Sequence, residues 1–181
     1  VILPLNDLER NSPMFKTFYP KEYYSSTYVI DFRKYYDMGF RTILFDIDNT
    51  LVTHGAPANK KAIRLFERLK TIGFKICLVS NNKEPRVASF NAKVKADYVY
   101  KAGKPLKKGY LAALDKTSSD IEHTLFVGDQ LFTDLWGANK LGIYSILVKP
   151  IDKHEEIQII LKRIPEKLIL FFYLRKHKLI K

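Results

Sequence analysis

Two aspartates separated by a single residue, Asp46 and Asp48, directly follow the apolar run Thr42-Ile43-Leu44-Phe45. Carboxylates this close repel each other and raise one pKa unless a cation lies between them, so the pair indicates a divalent metal site. A solvated acidic turn is the alternative, because an Asp-x-Asp pattern alone is common in turns. The pair therefore needs support from other parts of the chain.

Polar residues that suit a phosphate or a metal also follow later apolar runs. Hydroxyl and amide groups can donate hydrogen bonds to phosphate oxygens, a lysine supplies a positive charge, and carboxylates bind a hard cation. These residues are Ser80, Asn81, Lys104, Asp129 and Asp134. Each has an ordinary structural alternative, namely a turn for Ser80-Asn81, a solvated side chain for Lys104 and a helix N-cap for Asp134.

Regular elements must position these groups, and from Arg41 onward short apolar runs alternate with helical patterns. That alternation is typical of an α/β fold, and we predict a doubly wound, Rossmann-like parallel sheet of about five strands with flanking helices. The predicted strands are residues 42–46, 75–80, 97–100, 124–128 and 144–148, and the predicted helices are 29–38, 60–71, 85–93, 105–114 and 132–141. Ligands bind such sheets beyond the carboxyl ends of the strands, where the polar residues fall.

The order and spacing of these groups resemble the haloacid dehalogenase (HAD) superfamily. Asp46-Ile47-Asp48-Asn49-Thr50 resembles its first motif, Ser80 its second, Lys104 its third, and Gly128-Asp129 with Asp134 its fourth. The resemblance covers residues 41–150. Within the superfamily the chain resembles the YqeG family of small phosphatases, which is related to the mitochondrial phosphatidylglycerophosphate phosphatases. Residues 45–52, 79–82, 100–105 and 127–134 carry that resemblance.

The resemblance implies a nucleophile and an acid-base group. Asp46 would attack the substrate phosphorus and form an aspartyl-phosphate, while Asp48 would protonate the leaving oxygen and then activate water. Mg²⁺ would be held by the carboxylates of Asp46 and Asp129 and by the backbone carbonyl of Asp48. An Asp rather than a Thr at position 48 favours a phosphatase over an ATPase within the superfamily.

The resemblance also implies a set of phosphate ligands. Ser80, Asn81 and Lys104 would bind phosphate oxygens and oppose the charge that spreads over them in the transition state. Asp134 would orient Lys104 or a metal-bound water rather than bind the ion directly. The implied enzyme is a phosphomonoester hydrolase.

A cap domain, which many HAD enzymes insert after the first or the second motif, has no room in this chain. One loop and one helix fill the interval from Asp48 to Ser80, and a short helix and a strand fill the interval from Ser80 to Lys104. We therefore predict an open site that suits large or surface-bound substrates, such as phosphatidylglycerophosphate or another lipid phosphate. The alternatives are a soluble nucleotide, sugar or protein phosphate, and a non-catalytic HAD-fold binding module.

Composition bounds the class of protein and its partners. The chain of 181 residues is 46% hydrophobic, which suffices for a core of one domain. Its net charge of +12 favours anionic partners, among them phosphorylated substrates and anionic lipid surfaces. Nucleic acid is the weakest of these partners, because no recognised binding motif accompanies the charge.

Cysteine usage and hydropathy bear on the compartment. Cys77 is the single cysteine and lies in an apolar run, so we predict a buried thiol and a reducing compartment. No apolar stretch approaches the roughly 18 to 20 residues that a membrane span needs. We expect a cytoplasmic protein, and peripheral association with the inner face of the membrane is a further hypothesis.

The two ends lie outside the predicted catalytic core of residues 41–150. We predict that residues 1–40 pack on the core, with a membrane-interface anchor as the alternative. This segment carries the aromatic residues Phe15, Phe18, Tyr19, Tyr23, Tyr24 and Tyr28. In the helical, basic extension 151–181, Pro165 interrupts the first helical pattern, and an apolar run at 168–174 precedes the basic residues 175–178. Core packing or a homo-oligomer interface is one interpretation of that run, and contact with an anionic membrane is the other.

Overall fold

Among the residues that the structure describes, the sheet has six strands, and all of their pairings are parallel. The computed structural model describes residues 17–152 and 157–176. The strands are β1 (Glu22–Tyr24), β2 (Thr42–Phe45), β3 (Lys75–Val79), β4 (Asp97–Val99), β5 (Thr124–Gly128) and β6 (Tyr144–Val148). Their order across the sheet is β1-β6-β5-β2-β3-β4, so β5, β2 and β3 form its centre.

The central strands are apolar because both faces of the sheet are covered, as is usual for parallel sheets. Side chains alternate between the faces. On β2, Ile43 and Phe45 belong to one buried cluster, whereas Leu44 packs in another with Cys77 and Phe126. Cys77 is fully buried, which confirms the prediction of a buried thiol.

In the part of the chain that the structure describes, six α-helices connect and flank the strands. They are α1 (Phe32–Asp37), α2 (Lys60–Ile72), α3 (Glu84–Val94), α4 (Lys107–Lys116), α5 (Trp136–Leu141) and α6 (Ile157–Lys176). A 3-10 turn at Thr27–Val29 precedes α1, and a π-helical turn at Leu131–Leu135 leads into α5. Helix α2 shows clear local signals, because Asn59 caps its first turn and Gly73 ends it with a left-handed backbone.

The structure confirms the α/β fold class and corrects several boundaries. The N-terminal segment adds the edge strand β1, which was not predicted, and Glu22 pairs there with Ile146. Helix α4 begins at Lys107 instead of residue 105, because Leu106 is still extended. The predicted helix 132–141 is divided into the π-helical turn and α5.

The prediction that Pro165 interrupts the C-terminal helix was wrong, since α6 continues through it to Lys176. Tertiary packing outweighs the lost backbone hydrogen bond there. Ile169 and Tyr173 are buried, and Ile169 belongs to a cluster with Leu131, Leu135 and Leu147. The opposite side of the same helix leaves Leu168 58% and Phe171 44% exposed.

The N-terminal segment packs on the same part of the domain. Phe18 meets Phe132 with ring centroids 5.1 Å apart, and Tyr19 meets Tyr173 at 5.6 Å. Phe15 lies outside the described residues, as do residues 177 and 178 of the basic run. Membrane contact and self-association of the two ends stay predictions. None of the described helices combines the length and apolar character that crossing a bilayer requires.

No cap domain is inserted next to the motifs in the described segment 46–104. The interval from Asp48 to Ser80 contains a loop, α2 and β3, and the interval from Ser80 to Lys104 contains α3 and β4. The carboxyl edge of the sheet is therefore free of an inserted domain on this side.

Candidate active site

The central strands bring the predicted residues to one edge of the sheet. Asp46 follows β2, Ser80 follows β3, and Asp129 follows β5. Strand β2 pairs with both of the others in parallel, with Phe45 opposite Leu78 and Val127. The carboxyl ends of the three strands therefore converge on a common point.

A buried lysine joins two of the acids at this point. The Nζ atom of Lys104 lies 2.6 Å from Oδ1 of Asp46 and 2.7 Å from Oδ1 of Asp134. Only 2% of the Lys104 side chain is exposed, as is 2% of that of Asp134. Carboxylate oxygens of Asp46, Asp129 and Asp134 all lie within 4.8 Å of one another. One buried cation thus faces three buried carboxylates.

This charge imbalance perturbs the protonation of the cluster. The pKa of Asp46 is raised from 3.8 to about 7, chiefly by burial, and the neighbouring charge of Asp134 contributes to this rise while Lys104 opposes it. For Lys104, burial alone would lower the pKa, but the carboxylates of Asp134 and Asp46 outweigh burial and raise it above its ordinary value. Lys104 is therefore a permanent cation, and the cluster has a deficit of positive charge.

A divalent cation fits that deficit and the donor set. The three carboxylates supply hard oxygen ligands, which Mg²⁺ and Ca²⁺ prefer, and their oxygens are close enough to share one ion. Thr50 Oγ1 donates to Oδ1 of Asp129 at 3.1 Å and so orients that carboxylate. The acidic group could hold a metal, and which of the three acids are ligands stays a prediction.

Asp134 is placed by the π-helical turn and by Gly128. Its Oδ2 accepts hydrogen bonds from the backbone amides of Asp129 and Gln130, at 3.2 and 3.1 Å. A Cβ atom on Gly128 would lie 2.6 Å from that same oxygen, so this close approach requires a glycine. The Asp134 side chain therefore accepts hydrogen bonds from the backbone of the fourth motif through Oδ2 and contacts Lys104 through Oδ1.

The Asn81 side chain contacts the backbone of Lys104 at both of its ends. Its Oδ1 accepts from Lys104 N at 2.7 Å, and its Nδ2 donates to Lys104 O at 3.0 Å. Ser80 is 1% exposed and its hydroxyl accepts a hydrogen bond from Asn82 N at 3.2 Å. Asn81 thus positions Lys104, and direct phosphate contacts by Ser80 and Asn81 stay predictions.

Asp48 lies outside the acidic group and contacts a residue that the sequence did not reveal. Its Oδ1 accepts from Arg86 Nη2 at 2.8 Å, and its Oδ2 accepts from Asn82 Nδ2 at 2.8 Å. His54 Nδ1 lies 3.9 Å from Oδ1, so this half-exposed histidine also borders Asp48. Arg86 is an isolated arginine in the first turn of α3, and no motif or periodicity marks it.

The N-terminal segment supports the loop that carries the first motif, which was also not foreseen. Thr27 Oγ1 donates to the carbonyl of Thr50 at 2.7 Å, and Tyr28 donates to the carbonyl of Leu51. The aromatic content of this segment was visible in the sequence. Its contact with the motif loop was not, because pairing over this separation in the chain depends on the tertiary fold.

Comparison with known proteins decides the family. Residues 101–158 match the HAD-hydrolase-like protein family. The chain is 36% identical over 137 residues to a Bacillus subtilis protein named probable phosphatase YqeG, a match that covers 75% of this chain and 80% of that protein. The chain belongs to the YqeG family of HAD phosphatases. It is therefore a phosphatase, and its buried acidic group is the part of the site that could hold a divalent metal.

Solved structures resemble parts of this YqeG-family chain. An uncharacterized protein from Listeria monocytogenes serotype 4b superposes with a TM-score of 0.51 at 19% identity, covering 72% of this chain and 98% of that one. A HAD phosphatase from Thermococcus onnurineus superposes with a TM-score of 0.47 at 17% identity, covering 55% of this chain and 50% of that one. At 19% identity the likeness to the Listeria protein concerns the fold alone.

Proposed function

We propose that this YqeG-family phosphatase is a Mg²⁺-dependent phosphomonoester hydrolase in which Asp46 is transiently phosphorylated. The observation that carries the proposal is the Lys104 ammonium held between Asp46 and Asp134, beside Asp129. A phosphate has to approach three buried carboxylates, so positive charge is needed to make its approach favourable. Bound Mg²⁺ would supply that charge, held by Asp46, Asp129 and the backbone carbonyl of Asp48, and would polarise the phosphoryl group.

In the first step, a carboxylate oxygen of Asp46 attacks the phosphorus in line. The bond from phosphorus to the leaving oxygen breaks, and Asp48 gives that oxygen a proton. Lys104 and the Ser80 hydroxyl face the phosphoryl oxygens and oppose their charge. The product of this half-reaction is an aspartyl-phosphate and a free alcohol.

In the second step, water attacks the phosphorus of the aspartyl-phosphate. Asp48 takes a proton from that water, the bond from phosphorus to the Asp46 oxygen breaks, and inorganic phosphate leaves. Asp134 keeps Lys104 in position through both steps, because its other oxygen is fixed by two backbone amides. The enzyme returns to its starting state.

The preferred substrate in this proposal is a lipid phosphate, such as phosphatidylglycerophosphate. The residues that flank Lys104 in the chain support it, because apolar and basic side chains are both exposed among them. Tyr100, Leu106 and Leu111 are 41%, 66% and 47% exposed. The exposed lysines Lys101, Lys107 and Lys108 lie close to them in the chain. Apolar groups that enter a headgroup layer, with lysines that attract anionic lipid, suit a substrate held in a membrane.

Hydrolysis of an aryl phosphate by the purified protein tests the chemistry. We expect activity with Mg²⁺, loss of activity with EDTA, and loss of activity in Asp46→Asn. Asp115→Asn is the matched control, because Asp115 is an exposed acid on α4. Activity that survives Asp46→Asn would contradict the proposed nucleophile.

Vesicle assays test the lipid substrate. We expect phosphatidylglycerophosphate in anionic vesicles to be hydrolysed with a higher kcat/KM than nucleotide or sugar phosphates. A double variant with Leu106→Ser and Leu111→Ser should lose vesicle binding. Met38 is 56% exposed and lies close to the amino end of β2, so the control variant Met38→Ser should keep vesicle binding. Faster hydrolysis of a soluble phosphate would favour the soluble alternative.

A further inference from the structure

The carboxylate of Asp48 occupies a pocket of hydrogen-bond donors beside the acidic group. Arg86 donates through Nη2 at 2.8 Å and Nε at 3.3 Å, and the Gly55 backbone amide donates at 2.8 Å, all to Oδ1. Asn82 Nδ2 donates to Oδ2 at 2.8 Å, and His54 Nδ1 lies 3.9 Å from Oδ1. Donors from two loops and one helix thus converge on one anion.

Arg86 is a costly group to place at this position. Only 16% of its side chain and 12% of that of Asp48 are exposed. Its Nη1 atom is buried and has no hydrogen-bond partner. A buried guanidinium that loses its anion is strongly unfavourable, so this pocket requires an anion at all times.

The proposed chemistry requires Asp48 to leave this pocket. Both of its oxygens are engaged by donors, so neither is available to the leaving group in this arrangement. When Asp48 turns toward the leaving oxygen, Arg86 and Asn82 lose their partner. The proposed chemistry has the Asp48 side chain reach both this pocket and the leaving oxygen. The alcohol that contains the leaving oxygen therefore lies next to the donors of Arg86 and Asn82 that Asp48 has left.

We infer that the pocket formed by Arg86, Asn82 and the Gly55 amide binds a second anionic group, carried by the alcohol part of the substrate. This inference rests on the proposed phosphatase chemistry and narrows its substrate class to phosphomonoesters whose alcohol bears a phosphodiester, phosphate or carboxylate. A guanidinium binds such groups through two parallel hydrogen bonds. The second anion replaces the Asp48 carboxylate on Arg86 when the correct substrate is bound. The freed carboxylate takes up the proton of the substrate's monoanionic phosphomonoester and then gives that proton to the leaving oxygen.

A purely structural clamp is the competing explanation. In that case Arg86 only holds Asp48, and its removal changes the turnover of every phosphomonoester by the same factor. The ratio of kcat/KM between a substrate with a second anion and one without it separates the two explanations.

Two soluble substrates measure that ratio. One is glycerol 3-phosphate, whose alcohol is neutral, and the other is glycerophosphoglycerophosphate, whose alcohol carries a phosphodiester. We expect the wild-type kcat/KM to be about 10- to 100-fold higher for the second compound, as charge-assisted hydrogen bonds usually contribute. Arg86→Gln should bring the ratio close to one, and Arg86→Lys should give an intermediate ratio. The acylated form in neutral-lipid vesicles shows whether the acyl chains add to the preference.

Arg64→Gln is the matched control, because Arg64 is an exposed arginine on α2, and it should keep the wild-type ratio. A wild-type ratio near one overturns the inference even if Arg86→Gln does not fold, and so does an equal loss for both substrates in Arg86→Gln. Calorimetric binding of both compounds to Asp46→Asn, with and without Arg86→Gln, gives the same comparison without turnover. If the proposed hydrolytic chemistry is wrong, the aryl phosphate is not hydrolysed. That result is distinct from a failure of the inference about the Arg86 pocket.

Discussion

Replacement of Asp46 by asparagine should stabilise the metal-free protein at the same time as it abolishes activity. Asp46 is ionised at pH 8, next to two other buried carboxylates and a single lysine. Asparagine has the shape of the protonated acid and lacks its charge. The rise of the Asp46 pKa from 3.8 to about 7 includes the favourable effect of Lys104, so the net cost of the charge can be worked out.

A rise of about three pH units corresponds to about 4 kcal/mol, at roughly 1.4 kcal/mol per unit. The folded state holds the proton more tightly than the unfolded state, so the stability of the metal-free protein falls as the pH rises from about 4 to about 7. Above pH 7 the gain from Asp46→Asn should therefore reach about 4 kcal/mol, and at pH 5 it should shrink to less than half of that.

Urea unfolding in EDTA at pH 5 and pH 8 measures both gains. The exposed Asp115→Asn control should change the unfolding free energy by less than about 0.5 kcal/mol at either pH. An Asp46→Asn protein that is no more stable than the wild type at pH 8, or equally stabilised at both values of pH, would refute the electrostatic argument.

Three further outcomes follow from the same cluster. Lys104→Met should leave two buried carboxylates without their cation and lower the unfolding free energy by about 3 kcal/mol in urea, with kcat/KM for an aryl phosphate reduced at least about 10³-fold. Gly128→Ala should force its Cβ against the Asp134 carboxylate and cost about 1–3 kcal/mol in thermal unfolding, with lower activity. Mg²⁺ affinity, measured by calorimetry, should fall about tenfold per pH unit below pH 7, because the proton on Asp46 competes with the ion. An affinity that does not change between pH 5 and pH 7 would contradict the combination of metal binding by Asp46 and its raised pKa.

Three of the candidate site residues were accessible from the sequence because each follows a buried strand. Asp46, Ser80 and Asp129 lie at strand ends that a parallel sheet must bring to one edge. The sequence order of the motifs predicted that Lys104 belongs to the site, but it did not predict the contacts of Lys104 with Asp46 and Asp134.

Other features of the site and of the fold depend on tertiary contacts that leave no local signal in the sequence. Arg86 looks like an ordinary helix residue until the fold places it against Asp48. Strand β1 is only three residues long and was hidden among aromatic residues. Pro165 was expected to interrupt the helical pattern by local rules, yet the burial of Ile169 and Tyr173 keeps the helix continuous.

The central claim, that Asp46 becomes phosphorylated, can be tested by trapping. The enzyme would be quenched in acid during turnover of an aryl phosphate, reduced with borohydride and digested for peptide mass spectrometry. Borohydride converts an aspartyl-phosphate to homoserine, so we predict homoserine at position 46 in samples that contain substrate and Mg²⁺, and unmodified aspartate without substrate. Rapid turnover that leaves Asp46 unmodified, or homoserine at position 48 instead, would contradict the proposed mechanism.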